Sequence, residues 1–417
     1  MNFTKVQLRN GSPLVLIKLP GVKAVTVSAF IKAGFKYDPP DKPGLAHFTE
    51  HMLFDGTKKY PSTKELSWAI EKYGGWHYAF TWIEHQVHTI HLPKDQTEIG
   101  IAVLTDMLIS PLLEEKEIAR EKGMVKEEIL RNRSDPEKAV LDYAWQPLFF
   151  EGTTLARPYS GVEQNIDKFT KNDVNKFLEN NFLADSTVFL IAGDFDQAEV
   201  KELFEFNTKD YSRKEERQDV GMVSKNKERV KVYPYNTEQA SIVIGIKGVQ
   251  FENKDRYKLE LIKDILAGYY GARLPQKLRE EGGLIYNWNA WQDNFSDTGY
   301  LIFRSSTAVK NVSKFVKIVL EEFKKLTMTS ISEEELGISK GHIAGELFCN
   351  TQTGLDFINW YGIQELMTDR ALTLEQQAEI YKNISRQELF EIAKKYFKKD
   401  NIYIAVFGNI KSEIIKI

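Results

Sequence analysis

The sequence predicts an α+β protein: two homologous α/β sandwich domains, each a mixed sheet with helices packed on it, arising from internal duplication. Three observations carry this expectation. The chain has 417 residues, which suits two or three domains better than one. Two stretches recur half a chain apart: EKYGGWHYAFTW around Gly74 and REEGGLIYNWNAW around Gly282. A second pair, 170–193 and 385–408, brings Phe182 into register with Phe397 and Gly193 with Gly408.

Each copy opens with a strand rich in β-branched residues, VTVSAFIKAG (25–34) in the first and ASIVIGIKGV (240–249) in the second. In the first copy, helices are expected over 43–57 and 62–72. The latter opens on Pro61-Ser62-Thr63 and closes at Gly74-Gly75. A long charged helix spans 114–133, and Asp135-Pro136 breaks it. An amphipathic helix (171–181; 386–397) and a strand (187–193; 402–407) end each copy. The stretch 207–229 is charged and poor in apolar residues, as linkers are. The expected domains are therefore residues 1–210 and 230–417, joined by a linker at 211–229.

Bulk properties exclude several function classes. Net charge is −3 and 42% of residues are hydrophobic. This balance gives no case for nucleic acid or an anionic membrane as partner, since a basic surface would meet both. Cys349 is the single cysteine, so no internal disulfide is possible and any metal site must use His and carboxylates. The opening MNFTKVQLRNGS is polar, and no apolar run approaches the ~18 residues of a membrane span. The expectation is a cytoplasmic protein with no membrane partner.

The chemistry-bearing string is His47-Phe48-Thr49-Glu50-His51. On a helix, residues four apart share a face, so His47 and His51 can present two imidazoles to one ion. Glu50 lies on the same general face and can act as general base toward a water on that ion. H-x-x-E-H is the mirrored order of the zinc-peptidase H-E-x-x-H motif. An ordinary helix with two half-buried histidines would give the same string. A catalytic zinc also needs a third protein ligand and an open position. Four further histidines, His77, His85, His88 and His91, show no clean chelating spacing, and ordinary polar or packing roles are expected for them. His342 has no partner in sequence.

Residues 43–75, PGLAHFTEHMLFDGTKKYPSTKELSWAIEKYGG, closely resemble the pitrilysin family of zinc peptidases, which includes insulin-degrading enzyme and the mitochondrial processing peptidases. LARPYSG (155–161), the strand ending Ala192-Gly193-Asp194, and AGYYGARLPQKLREEGGLIY (267–286) extend the resemblance over most of the chain. The resemblance implies a third ligand in a helix reading E-[RK]-x-x-V-x-x-E. Residues 121–128 fit, which selects Glu128 over Glu127 and makes Glu121 the supporting acid. It implies that Arg279 and Tyr286 reach toward the scissile peptide, although a solvent Arg and a core Tyr would have the same spacing. It implies substrate pairing along 74–81, through Gly75, Tyr78, Ala79 and Thr81. Tyr78 stands where the family pattern G-G-x-x-N-A-x-T has Asn, so it either supplies a hydroxyl or packs on the sheet.

The function implied is a zinc-dependent endopeptidase hydrolysing peptides or small unfolded polypeptides in a closed chamber, with Glu50 activating the water. Chains of this length form half of a clamshell, and keeping both residue sets makes a homodimer the economical partner arrangement, with a heterodimer possible. The competing reading is a non-catalytic or partner-dependent subunit of a heteromeric processing complex. Such subunits usually lose metal residues.

Overall fold

The computed structural model describes residues 3–211, 221–222, 228–415 and 417, so most of the expected linker at 211–229 lies outside the described residues. Two sheets organise the chain. The first contains β1 (Thr4–Gln7), β2 (Pro13–Lys18), β3 (Ala24–Ile31), β4 (Trp76–Thr81), β5 (Gln86–Pro93) and β6 (Thr187–Gly193), ordered β1-β2-β6-β3-β5-β4. The second contains β7 (Val230–Pro234), β8 (Gln239–Lys247), β9 (Trp288–Asn294), β10 (Gly299–Ala308) and β11 (Ile402–Gly408), ordered β7-β11-β8-β10-β9. Omitting β1, the two orders are the same once copies are matched. β2/β6 and β11/β7 are the parallel pairs, and the other neighbours are antiparallel. The duplication read from sequence is thus a duplication of sheet topology, and the fold is two-domain α+β.

The strands end a little earlier than the apolar runs suggest, at Ile31 and Lys247. The larger correction concerns the first helix. Instead of 43–57 it is α1, Leu45–Met52. Gly44 starts it with φ 94°, where a Cβ would meet the Gly161 Cα at 2.8 Å, so the LARPYSG segment packs backbone to backbone against the helix entry. Gly56, with φ 123°, lies in the turn that follows. Helices α2 (Thr63–Glu71), α3 (Thr97–Ile109) and α4 (Glu115–Ser134) follow, close to expectation for α2 and α4. Asp135 ends α4 and caps the next short helix, accepting from the Glu137 amide.

The compact units do not follow the sequence halves. One comprises Met1–Ile129, Tyr159–Val220 and Asn350–Thr373; the other comprises Leu130–Pro158, Gly221–Cys349 and Leu374–Ile417. Each half of the chain therefore lends a segment to the other half's sheet. In the first unit, the helix Gly354–Thr368 packs on β6 and β3. A Cβ on Gly362 would meet the Phe30 ring at 2.5 Å, so glycine is what lets this helix sit flush on the sheet. In the second unit, helical residues 136–149 pack on β11 and β8. Trp145, 1% exposed, lies edge-on to Tyr300 and stacks with Phe149. Glycine again makes the room, since a Cβ on Gly245 would meet the Trp145 ring at 3.0 Å.

Candidate active site

All three expected metal ligands lie in the first unit. His47 and His51 sit one turn apart on α1, and Glu128 sits on α4. The two imidazoles bring their Nε2 atoms to 3.3 Å. Glu128 Oε2 is 3.8 Å from His47 Nε2 and 3.6 Å from His51 Nε2. A tetrahedral ion bonded at about 2.0–2.1 Å needs ligand atoms roughly 3.3–3.4 Å apart. The observed triangle is close to that, and its donor set of two imidazoles and one carboxylate suits zinc. The residues present therefore fit the metal.

The partners of the two imidazoles differ. His51 Nδ1 is bonded to Glu121 Oε2 at 3.1 Å, which leaves Nε2 as the inward-facing atom. Glu121 is 5% exposed and is itself held by Arg120, whose Nη2 lies 3.0 Å from its Oε1. Arg120 also pairs with Glu117 and Asp55, and Asp55 accepts from Thr63 at the start of α2. Sequence reasoning missed Arg120 and Asp55, because nothing in their spacing marks them. His47 Nδ1 is buried with no hydrogen-bond partner among the described residues. Burial pushes the His47 imidazole down to about 4, aided by the neighbouring His51. His51 goes the other way: burial opposes its charge, but the bonds to Glu121 and Glu128 outweigh it.

Glu50 lies half-buried beside this triangle. Burial lifts its carboxyl to about 7, against the Thr81 hydroxyl, which donates to Oε2 and favours the charged form. Helix α1 is held from its N-terminus by Asp38, whose carboxylate accepts from the Gly44 amide at 2.6 Å and the Ala46 amide at 2.7 Å. These are amides a helix leaves unpaired. Burial keeps the Asp38 carboxyl high, at about 7, despite those two bonds. Asp38 is another residue the sequence did not reveal.

The expected substrate segment is β4, and it is the edge strand of its sheet. Gly75 precedes it; a Cβ there would meet Leu92 Cδ2 at 2.3 Å. Ala79 lies opposite His88, and Thr81 opposite Gln86. Tyr78 alternates away from Thr81, is 43% exposed, and packs against Phe80 at 5.6 Å. The other histidines do not gather into a site. His77 stacks on Phe54, His91 bonds Thr26 and stacks on Trp76, and buried His85 and His88 are pushed down to about 4 and about 3 by desolvation.

Arg279 and Tyr286 belong to the second unit. The Arg279 guanidinium donates to the Tyr286 carbonyl at 3.1 Å and lies over the Tyr270 ring. Tyr286 is 86% exposed, so it is no core residue. His342, partnerless in sequence, is 2.8 Å from the buried Asp264, which also accepts from Ser339. Glu346 is nearby at 3.8 Å. A 2.8 Å contact is a direct hydrogen bond, so His342 and Asp264 form a bonded pair. Among the described residues, no helix is long and apolar enough to cross a membrane.

Comparison with known proteins gives the family and the fold. Residues 14–161 match the family model described as Insulinase (Peptidase family M16), and residues 168–340 match the one described as Peptidase M16 inactive domain. The chain is 24% identical to an uncharacterized zinc protease, YmxG, of Bacillus subtilis, over 97% of this chain and 98% of that one. A peptidase M16 inactive domain from Pseudomonas fluorescens superposes with TM-score 0.90 at 16% identity, covering 99% of each chain. A chain of Complex III2 from Candida albicans gives TM-score 0.84 at 18% identity, covering 99% of this chain and 97% of that one. These likenesses define a protein that is zinc-protease-like in sequence and M16-like in fold. The chain belongs to peptidase family M16, the pitrilysin family.

Proposed function

We propose that this protein is a zinc-dependent endopeptidase acting on peptides or small unfolded polypeptides. The observation that carries the reading is the convergence of His47 Nε2, His51 Nε2 and Glu128 Oε2 within 3.3–3.8 Å of one another, with the Glu50 carboxylate alongside. Zinc held by these three residues would supply Lewis acidity, bringing a water's pKa toward about 7 and polarising the peptide carbonyl. Glu121 keeps His51 in the tautomer that faces inward. Glu50 takes a proton from the attacking water and returns it to the departing amine. The edge of β4, which no further strand covers among the described residues, offers its backbone groups to an extended peptide, which binds without demanding a particular sequence. Arg279 and Tyr286 are the candidate donors to the developing oxyanion, each worth about 3–4 kcal/mol in such a role.

A homodimer is the economical assembly, because one chain carries both the metal residues and the Arg279/Tyr286 pair. Full activity at monomeric mass in gel filtration would overturn it. The test of the chemistry is wild type against Glu50→Gln, with bound zinc measured and a quenched peptide library assayed. Wild type should bind one zinc per chain and cleave. Glu50→Gln should keep the zinc and lose roughly 10²–10⁴ in kcat. A variant cleaving at wild-type rate would sink the base assignment.

The second reading, a non-catalytic or partner-dependent subunit, draws on the likeness to the Complex III2 chain. A wild type that binds no zinc would favour it.

A further inference from the structure

Two polar tethers join the edge hairpin to α1. Thr81, the last residue of β4, donates its hydroxyl to Glu50 Oε2. Its cross-strand partner on β5, Gln86, donates Nε2 to the Ala46 carbonyl at 2.7 Å. Ala46 and Glu50 are four residues apart, so they lie on one face of α1. Thr81 is 8% exposed and Gln86 is fully buried, which makes both bonds costly to leave unmade. The pair reaches the metal helix at two points one turn apart. It therefore fixes both the height and the rotation of α1 against the strand.

We propose that Thr81 is the positioning residue of Glu50, and that the Thr81/Gln86 pair transmits the register of a peptide on the β4 edge to the general base. This rests on the peptidase reading above. It reassigns Thr81 from contacting substrate to holding the base. A carboxylate whose Oε2 is held by a hydroxyl cannot rotate freely, so Oε1 keeps one direction. The bond also spans the two parts that must be aligned: the strand on which the substrate registers and the helix on which the base sits. Misplacement of a reacting group by about 1 Å can cost 10²-fold in rate, so such a link acts on kcat rather than on binding.

The test uses full-length Thr81→Val and Thr81→Ser, with Thr81→Ala as a second variant should valine pack badly. Bound zinc, kcat and KM are measured, together with crystal structures of wild type and Thr81→Val. Thr81→Val should keep its zinc and hold KM within about twofold, with kcat lower by roughly 10- to 100-fold. Thr81→Ser, which keeps the hydroxyl, should recover most of that loss. In the crystal, the Glu50 carboxylate should leave its wild-type position in Thr81→Val. A raised KM with unchanged kcat would make Thr81 a substrate contact and overturn the proposal, as would an unmoved Glu50. If the wild type cleaves nothing, the peptidase reading fails by itself, and the crystallographic comparison still decides whether Thr81 holds Glu50.

Discussion

At the scale of single residues, the part of the site that lies within a few positions in sequence was legible. The helical repeat puts His47, Glu50 and His51 on one face, and the family resemblance then favours a metal site over an ordinary helix. Glu128 and Glu121 came with the family resemblance, and the 3.1 Å bond from His51 to Glu121 gives the supporting role a physical form. Arg120, Asp55, Asp38 and Gln86 were not legible. Arg120 meets Asp55 across 65 residues and Gln86 reaches Ala46 across 40, while Asp38 holds the Gly44 and Ala46 amides six and eight residues on; common polar residues at such arbitrary separations carry no pattern. The asymmetry between the imidazoles gives a prediction here. His51 has an orienting carboxylate and His47 has none among the described residues. Removing an outer partner of this kind typically costs 10–100-fold in metal affinity. Glu121→Leu should weaken zinc binding by about that factor, measured by competition with a chromogenic chelator and without reference to activity. Unchanged affinity would mean that α1 packing alone orients His51.

At the scale of elements, existence and type were easier to read than ends or destinations. The repeat and the Pro-Ser-Thr start located α2 correctly, and Ser62 does cap it by accepting from the Glu65 amide. Helix α1 came out shorter than its apolar pattern because Gly44, Asp38 and Gly56 set its ends through tertiary contacts. Another capped element permits a pH prediction. The helix Glu333–Cys349 starts with Ser332 and Glu335 in reciprocal bonds, and Glu335 also forms a fork with Arg273 at 2.6 and 3.0 Å. The Arg273 fork leads in holding the Glu335 carboxyl down at about 2, below its ordinary 4.5. Its charged form is favoured by folding, so the stabilisation is complete above about pH 4.5 and is lost as pH falls toward 2. Partial exposure limits the effect to about 1 kcal/mol. Glu335→Gln should thus be less stable than wild type by about that amount at pH 7. The gap, followed by urea denaturation, should narrow steadily between pH 5 and 3. A gap independent of pH would show that the Glu335→Gln variant loses packing rather than charge.

At the scale of the whole molecule, the duplication was legible and the exchange of segments was not. Matching strings revealed two copies, and the matching strand orders are their three-dimensional form. Which sheet a helix covers depends on complementary shape, such as Gly362 against Phe30 or Gly245 against Trp145, and hydrophobic periodicity carries no address. The exchange has a consequence for folding. Without Gly354–Thr368, β3 and β6 lose the helix that covers one of their faces, and without 136–149 the second sheet loses Trp145 and Phe149. Large apolar faces left bare this way do not sustain a cooperative fold. Residues 1–210 or 230–417 expressed alone should therefore lack a sharp thermal transition. By contrast, the full chain cut at a protease site inserted between Tyr211 and Gly221 should keep both fragments together, eluting at the volume of the uncut protein, because each fragment still carries a helix belonging to the other's sheet. Covering a sheet face with a whole helix is worth several side chains at about 1.5–3 kcal/mol each, which is ample to hold the cut chain at micromolar concentration. Separation of the fragments in native buffer, or a cooperative melt of 1–210 alone, would show that each half folds on its own and that the exchanged helices are accessories to it.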